Sequence, residues 1–174
     1  MNEDGTSIAT YANIDEERTK GIEYNFVGTL RKNLRLMLSG SVYWDEINSD
    51  LFGSDYNKTI QGQRIRFTTM WNINPKTEFM FFMFYRPASD IAIGTMNALN
   101  FSSMSFKRKL MDDRLNLTLN IGDPFKLSGF GFTTWGDFDD DGIRDWEQTS
   151  NRKWQSRNIR LSIEYRFGKM EDRS

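Results

Sequence analysis

The sequence predicts an all-β protein, an antiparallel up-and-down meander of about eight strands that forms a transmembrane β-barrel or part of a larger barrel wall. Three observations predict this fold. Apolar and polar residues alternate with a period of two in several segments, most clearly in residues 158–168. Gly, Asn, Asp and Pro clusters separate these segments. The connections are alternately short and long, as in transmembrane barrels, which have short turns at one rim and long loops at the other.

The composition of the 174-residue chain excludes several classes of function. A net charge of −1 provides no field that would recruit nucleic acid, so we expect no nucleic-acid partner. The chain has no cysteine and no histidine, which excludes disulfide bonds, thiolate nucleophiles, zinc sites built from these residues and histidine general bases. We therefore expect a single domain, residues 1–174, that is not an enzyme and has no cofactor apart from the calcium ion considered below.

The first four predicted strands combine alternating residues with polar connections. A tight turn at residues 31–33 precedes the third strand, and a long polar loop, residues 45–58, follows it. In the third strand Leu36 and Leu38 lie on the face opposite to Arg35. The four strands are residues 6–12, 19–30, 34–44 and 61–73.

The second group of four predicted strands is less uniform. Residues 78–86, EFMFFMFYR, are apolar on both faces, which is typical of a strand covered on both sides in a plugged or packed interior. Residues 87–96 are predicted as a loop, residues 126–155 as a long extracellular loop, and residues 169–174 as a C-terminal tail. The four strands are residues 78–86, 97–110, 115–121 and 158–168.

The last predicted strand, residues 158–168, has a strict alternation of apolar and polar residues. Ile159, Leu161 and Ile163 lie on one face, and Arg160 and Glu164 lie on the other. About ten residues at about 3.3 Å each, tilted by about 40°, rise about 25 Å, the height of the apolar band of a transmembrane barrel. A soluble sheet with one solvated face has the same alternation. A soluble β-sheet binding module therefore remains the alternative to a transmembrane barrel.

Aromatic residues near the predicted strand ends fit the girdles that mark the two lipid interfaces of a barrel. In a soluble barrel the same residues would close the core. The residues concerned are Tyr24, Tyr43, Trp44, Trp71, Tyr165 and Phe167.

The C-terminal part of the chain carries motifs of a known family. Residues 103–126 read SMSFKRKLMDDRLNLTLNIGDPFK, and residues 152–169 read RKWQSRNIRLSIEYRFGK. These segments resemble the closing strands of the TonB-dependent receptors, in which a basic strand end turns through acidic residues into a strand that ends in Asp-x-Phe, here Asp123 and Phe125. The segment IDEERTKGIEYNF is similar to that family's loop into a Gly-Ile-Glu strand, here beginning at Gly21.

The resemblance implies the C-terminal barrel portion of an outer-membrane receptor that takes up or binds a nutrient. Its implied partners are the lipid bilayer, the remainder of a larger barrel with its plug, TonB and the barrel-assembly machinery, for which Phe167 is similar to the terminal signal. Family members have an N-terminal plug and about 22 strands, whereas about eight strands fit here. The start MNEDGTSIAT has no secretory signal, so we expect either that the chain is a piece of a larger polypeptide or that it is not an outer-membrane protein. A stand-alone outer-membrane barrel for anchoring or adhesion is the alternative.

One acidic segment, GDFDDDGIRDWEQ, predicts a calcium site. Oxygen ligands at alternate positions followed by glycine are typical of calcium loops, although Gln148 occupies the position at which such loops have a bidentate Glu. The alternative is a solvated acidic loop. The predicted ligands are Asp137, Asp139, Asp141 and Asp145.

A set of charged residues on the polar faces of the strands is predicted to face the barrel lumen. Such residues either select anionic solutes or pair with one another or with a plug. The predicted lumen-facing residues are Arg64, Arg66, Arg160, Glu164 and Arg166.

Overall fold

The protein is an all-β structure of two antiparallel sheets. The computed structural model describes residues 16–49, 56–127, 129–136, 145–153 and 157–168, which form eleven strands. This described part of the chain contains no apolar helix of membrane-spanning length. The strand predicted at residues 6–12 lies outside the described residues. The all-β, antiparallel prediction is confirmed.

Seven strands form the larger sheet, in the order β1-β2-β3-β4-β7-β8-β11. Short turns at residues 32–33, 75–76 and 111–114 join β1 to β2, β3 to β4 and β7 to β8. The sheet is open, with β1 and β11 at its two edges. Its strands are β1 (Glu16–Arg31), β2 (Leu34–Ser49), β3 (Tyr56–Asn74), β4 (Thr77–Arg86), β7 (Leu99–Leu110), β8 (Leu115–Gly122) and β11 (Asn158–Tyr165).

The first three strands are longer than predicted, so the prediction of a loop at residues 45–58 is wrong at most of these positions. Polar residues in the first part of this segment, residues 45–48, pair with residues of β1 across the β1–β2 ladder. The hydroxyl of Thr19 donates to Asp45 at 2.7 Å, and Lys20 Nζ lies 3.0 Å from a carboxylate oxygen of Glu46. Polar cross-strand pairs of this kind support a strand without any apolar alternation.

The smaller sheet is built from the long connections, in the order β10-β9-β6-β5. The predicted loop at 87–96 contains a hairpin, and the predicted loop at 126–155 contains two paired strands, so the loop predictions are wrong at these residues. The extracellular position of 126–155 stays a prediction. The physical reason for the difference is that β6 pairs with β9, which joins two segments distant in sequence. The strands are β5 (Ser89–Ile91), β6 (Gly94–Met96), β9 (Gly129–Gly136) and β10 (Trp146–Lys153).

The register of the larger sheet separates an apolar face from a polar face. Residues directly opposite each other in an antiparallel pair share a face, and neighbours along a strand alternate. One row of partners on the apolar face runs across six strands: Leu34, Trp71, Phe79, Phe106, Leu119 and Leu161. A row on the polar face consists of Met80, Ser105, Asn120 and Arg160.

The positions of the short turns show how strongly the sheet is staggered. The first turn lies directly beside the row that contains Leu34. The second turn adjoins Thr77, two residues past Phe79 of that row, and the third adjoins Leu115, four residues past Leu119 of the same row. A step of about two residues (about 6.6 Å) for every two strand spacings (about 9.6 Å) corresponds to a strand tilt of about 35°. This tilt lies in the range of transmembrane barrels.

The larger sheet has almost no protein core. Among the described residues, Ile47 and Ile60 are the only apolar side chains that are fully buried. On the apolar face Ile22 is 65% exposed, Leu161 61% and Ile163 66%. A soluble sandwich would bury these side chains against a second layer, and no such layer covers them in the described part of the chain.

Candidate functional site

The apolar face of the larger sheet is a continuous hydrophobic surface. It extends over all seven strands, and many of its large side chains remain exposed. A contiguous apolar surface of this extent marks a membrane or protein interaction site. Besides the row of six residues given above, it includes Phe26, Leu38, Phe67, Met83, Met104, Ile121, Ile159 and Tyr165.

Two tryptophans bound this apolar face. Trp44 and Trp71 lie on it and are partly exposed. Trp71 is opposite Leu34, which lies ten residues from Trp44 along β2. Ten residues at about 3.3 Å, tilted by about 35°, span about 27 Å, close to the separation of the two aromatic girdles of a transmembrane barrel. Beyond Trp44 the face becomes polar, with the Lys20–Glu46 ion pair.

The other predicted girdle residues divide between the two faces. Tyr165 lies on the apolar face at the short-turn rim, and its ring contacts that of Phe167 edge-to-face at 4.6 Å. Tyr24 also lies on the apolar face, opposite Gly40. The prediction for Tyr43 is wrong, because the register places it opposite Gly21 and Gly62 on the polar face. Its position near a strand end says nothing of which face it occupies.

Four of the five charged residues predicted to face the lumen share the polar face. Arg64 and Arg66 are opposite Ser41 and Ser39, and Arg160 is opposite Asn120. Glu164 lies opposite Asn116 on the same face. The register places these residues on one face of the sheet. Because the described sheet is open, their position in a lumen stays a prediction.

Some charges of the polar face are paired. Arg166, just beyond β11, has its Nε 3.2 Å from a carboxylate oxygen of Glu164, and the side-chain amide of Asn116 donates to the same carboxylate at 3.5 Å. Lys109 lies 3.4 Å from Glu78. These pairs lie at the short-turn end of the polar face. At this end the charged residues pair with one another, which is one of the two roles predicted for them.

The arginines of β3 have a different environment. Within the described residues no carboxylate lies within 4.0 Å of Arg64 or Arg66. The guanidinium of Arg64 lies over the ring of Tyr43, 5.0 Å from its centroid. That ring occupies the space above Gly62, where any side chain would collide with it. Glycine at this position therefore lets Tyr43 lie flat and support Arg64.

The hairpin of β5 and β6 covers part of the polar face near the long-connection rim. Lys58 Nζ donates to the Ile91 carbonyl at 3.0 Å. Ile47 and Ile60 line a cavity of about 220 Å³ together with Ile91 and Met96. Their burial therefore comes from this hairpin, which folds over the polar face of the sheet.

The calcium prediction falls mostly outside the described residues, which exclude Asp137, Asp139 and Asp141. Asp145 is described, is exposed, and its backbone N–H donates to the Gly136 carbonyl at 2.9 Å. No cluster of three or more potential metal ligands is present in the described ranges. The calcium site stays a prediction.

The two edge strands limit how the sheet can close. Every neighbouring pair in the seven-stranded order is antiparallel, so β1 and β11 run in the same direction. Direct pairing of β1 with β11 would be parallel, whereas transmembrane barrels of bacteria are antiparallel with an even number of strands. An odd number of further strands is needed to close the wall.

Comparison with known protein families identifies a match over most of the chain. The model of a family described as "Outer membrane protein beta-barrel family" matches residues 1–165 of the 174. No curated protein and no solved structure matches the chain.

Proposed function

Because the chain belongs to the outer membrane protein β-barrel family and so lies in the cell outer membrane, we propose that it forms the C-terminal part of the barrel of a TonB-dependent receptor that takes up or binds a nutrient. The proposed role is binding and passage, without catalysis. Its partners are the lipid bilayer, the remainder of the barrel with a plug, TonB and the barrel-assembly machinery.

The proposed lipid contact rests on the apolar face. Side chains such as Ile22 and Leu161 are more than half exposed, and two tryptophans bound the face at a separation that fits a bilayer. In lipid, these side chains need no second protein layer, and the antiparallel ladder satisfies the backbone groups within each strand pair. The β1–β3 strands continue beyond Trp44 by several residues, which would raise their ends above the bilayer on the long-connection side.

The larger-barrel part of the proposal rests on the arginines of the polar face, because the common direction of β1 and β11 by itself requires only one further strand. Seven strands of this order require further strands to close. One additional strand would give a stand-alone eight-stranded barrel, whose interior is filled by side chains. In that narrow interior, Arg64, Arg66 and Arg160 would be desolvated although no described carboxylate lies within 4.0 Å of them, which is costly. A wide, hydrated lumen avoids this cost.

The TonB connection is supported by the motif around Asp123 and Phe125 and by residues 152–169, which resemble the closing strand of that family. The apolar inner residues of β4 also support an interior occupied by a plug. Met80 and Phe82 lie on the polar face, opposite Met70 and Thr68. A packed polypeptide would cover these side chains, whereas a channel filled only with water would leave them wet.

A distance measurement tests the size of the barrel. Spin labels on cysteines replacing Phe26 and Ile163, in the intact protein in lipid, report the separation of β1 and β11 at similar heights. Six strand spacings of about 4.8 Å predict about 30 Å in a large barrel, plus the label linkers. A separation of about 10 Å, the width of two spacings, would show a closed eight-stranded barrel and contradict the proposal.

A genetic experiment tests the receptor role. Deleting the gene should impair growth when its nutrient is limiting, and deleting TonB in the same medium should impair growth at least as much, with no added defect in the double deletion. A growth defect that appears without the gene and not without TonB would contradict a TonB-dependent function.

A further inference from the structure

A concavity on the polar face has the features of a ligand site. Its volume is about 370 Å³, and it lies at the centre of β1–β3. Its lining includes Ser39, Ser41, Arg64, Arg66 and Phe84. These residues belong to two adjacent rows of the register, so they converge from three neighbouring strands, β2, β3 and β4.

The two arginines give the concavity its positive charge. They are two residues apart on one face of β3, so their Cα atoms are about 6.6 Å apart. Neither has a carboxylate partner within 4.0 Å in the described part of the chain. Guanidinium groups bind carboxylate and phosphate oxygens by paired N–H donors, so two of them can hold one oxyanion.

The surroundings position these donors. Tyr43 supports the guanidinium of Arg64, and the hydroxyls of Ser41 and Ser39 lie in the positions opposite Arg64 and Arg66. The concavity also contains one carboxylate, that of Glu23 on β1. Glu23 lies opposite Ser41 of β2, so it is two strands away from Arg64 of β3. That carboxylate repels an anion on the β1 side, so the oxyanion would lie toward β3.

The β4 side of the concavity is aromatic. Phe84 is opposite Arg66 on one side and Phe101 on the other. Phe101 is 46% exposed and packs edge-to-face with Phe82 at 6.1 Å. An oxyanion at the arginines would therefore lie beside a partly exposed aromatic surface, which favours a ligand with an apolar ring.

We infer that Arg64 and Arg66, with Ser39, Ser41 and Phe84, form a binding site for a small organic anion that carries a phosphate or carboxylate on an aromatic ring. The inference rests on the proposed function only in that the polar face lines the interior of the barrel. The inferred site assigns a ligand class to the interior wall of the barrel. The short-turn end of the polar face, where the charges form ion pairs, is not part of this site.

Binding of fluorinated probes to the intact protein in lipid nanodiscs tests this site. We expect saturable ¹⁹F NMR line broadening of 4-fluorophenyl phosphate or 4-fluorobenzoate, and the stronger of the two identifies the oxyanion. The neutral 4-fluorobenzyl alcohol should bind at least tenfold more weakly, because it lacks the charge that the arginines recognise. Inorganic phosphate should compete only at a concentration at least tenfold higher, because it lacks the ring.

Matched variants separate the site from general charge effects. Arg64→Gln with Arg66→Gln should weaken binding of the anionic probe at least tenfold, and Phe84→Leu should weaken it severalfold. Arg160→Gln removes an arginine from the same face at another strand and should change binding less than twofold. Heat-modifiable mobility on gels confirms that each variant is folded.

Two outcomes overturn the inference: no saturable binding of either anionic probe by folded wild-type protein, or equal binding by the double arginine variant. Either outcome, together with a separation of about 30 Å between labels on β1 and β11, would leave the proposed function standing. A separation of about 10 Å would instead remove the wide barrel, whatever the probes show.

Discussion

Replacing Leu161 by arginine tests whether the apolar face contacts lipid. Leu161 lies four residues from Tyr165 at the short-turn rim, which is about 13 Å along β11 and about 11 Å along the membrane normal at a tilt of about 35°. This is close to the middle of an apolar band about 25 Å tall. Arginine near the midplane costs about 2–4 kcal/mol, so Leu161→Arg should lower the free energy of unfolding by that amount.

Exposure makes this prediction discriminating. Leu161 is 61% exposed, so few protein contacts are lost when it is replaced. If water surrounded this face, the substitution would change the free energy of unfolding by only about 0.5 kcal/mol, as at most surface positions. The large cost therefore has to come from lipid.

Equilibrium unfolding in guanidinium chloride, with the intact protein folded in lipid vesicles, measures the difference. Ser162→Arg is the control, because Ser162 is the next residue along the strand and lies on the polar face opposite Thr118. We expect the control to change stability by less than about 1 kcal/mol, as for lumen positions. Equal effects of the two substitutions, or a cost below about 0.5 kcal/mol for Leu161→Arg, would refute lipid contact at this face.

Three further predictions concern particular contacts. Gly62→Ala places a methyl group against the Tyr43 ring and should destabilise the protein by about 1–3 kcal/mol in the same assay, whereas Gly28→Ala, with no atom within 4 Å, should have little effect; equal effects would contradict the packing. Asp123→Ala should cost about 1–3 kcal/mol, because it removes the buried carboxylate that accepts a hydrogen bond from the Leu127 N–H at 3.0 Å, and Asp123→Asn should recover part of this loss; an Asp123→Ala protein as stable as the wild type would show that this bond is unimportant. Proteins that retain only Trp44 or only Trp71 should be quenched most by lipids brominated near the headgroups, and maximal quenching by lipids brominated near the chain ends would exclude the girdles.

The strands that carry strict alternation could be predicted from the sequence. In β11, Ile159, Leu161 and Ile163 share the apolar face, as expected, because the period of two fixes the face of every residue once one is known. The polar face of Arg64 and Arg66 follows in the same way from Ile65 and Phe67.

The ends of β2 and β3 could not be predicted, because residues 45–49 and 56–58 have polar side chains on both faces and Ile47 as their one aliphatic residue, which gives no alternation. Their strand structure depends on pairs such as Thr19–Asp45, which join residues 26 positions apart. The pairing of β6 with β9 depends likewise on distant segments. For Tyr43, proximity to a predicted strand end was not enough to assign it to a girdle. Because Tyr43 is next to Trp44 along the strand, it lies on the opposite, polar face.

The candidate site was predictable in part. Alternation alone places Arg64 and Arg66 on one face, but it does not show whether a carboxylate reaches them. The neighbours that define the concavity, Ser41, Ser39 and Phe84, are set by cross-strand register. A single sequence contains no direct signal of that register.

A spin-label scan of residues 158–165 tests the central claim most directly, and the absence of native cysteine allows one label at a time without background. With the intact protein in lipid vesicles, labels at Ile159, Leu161, Ile163 and Tyr165 should be accessible to oxygen dissolved in the bilayer. Labels at the intervening positions should be accessible to a water-soluble nickel chelate. An accessibility pattern without a period of two, or with the two sets exchanged, would contradict a wall with lipid on its apolar face and water on its polar face.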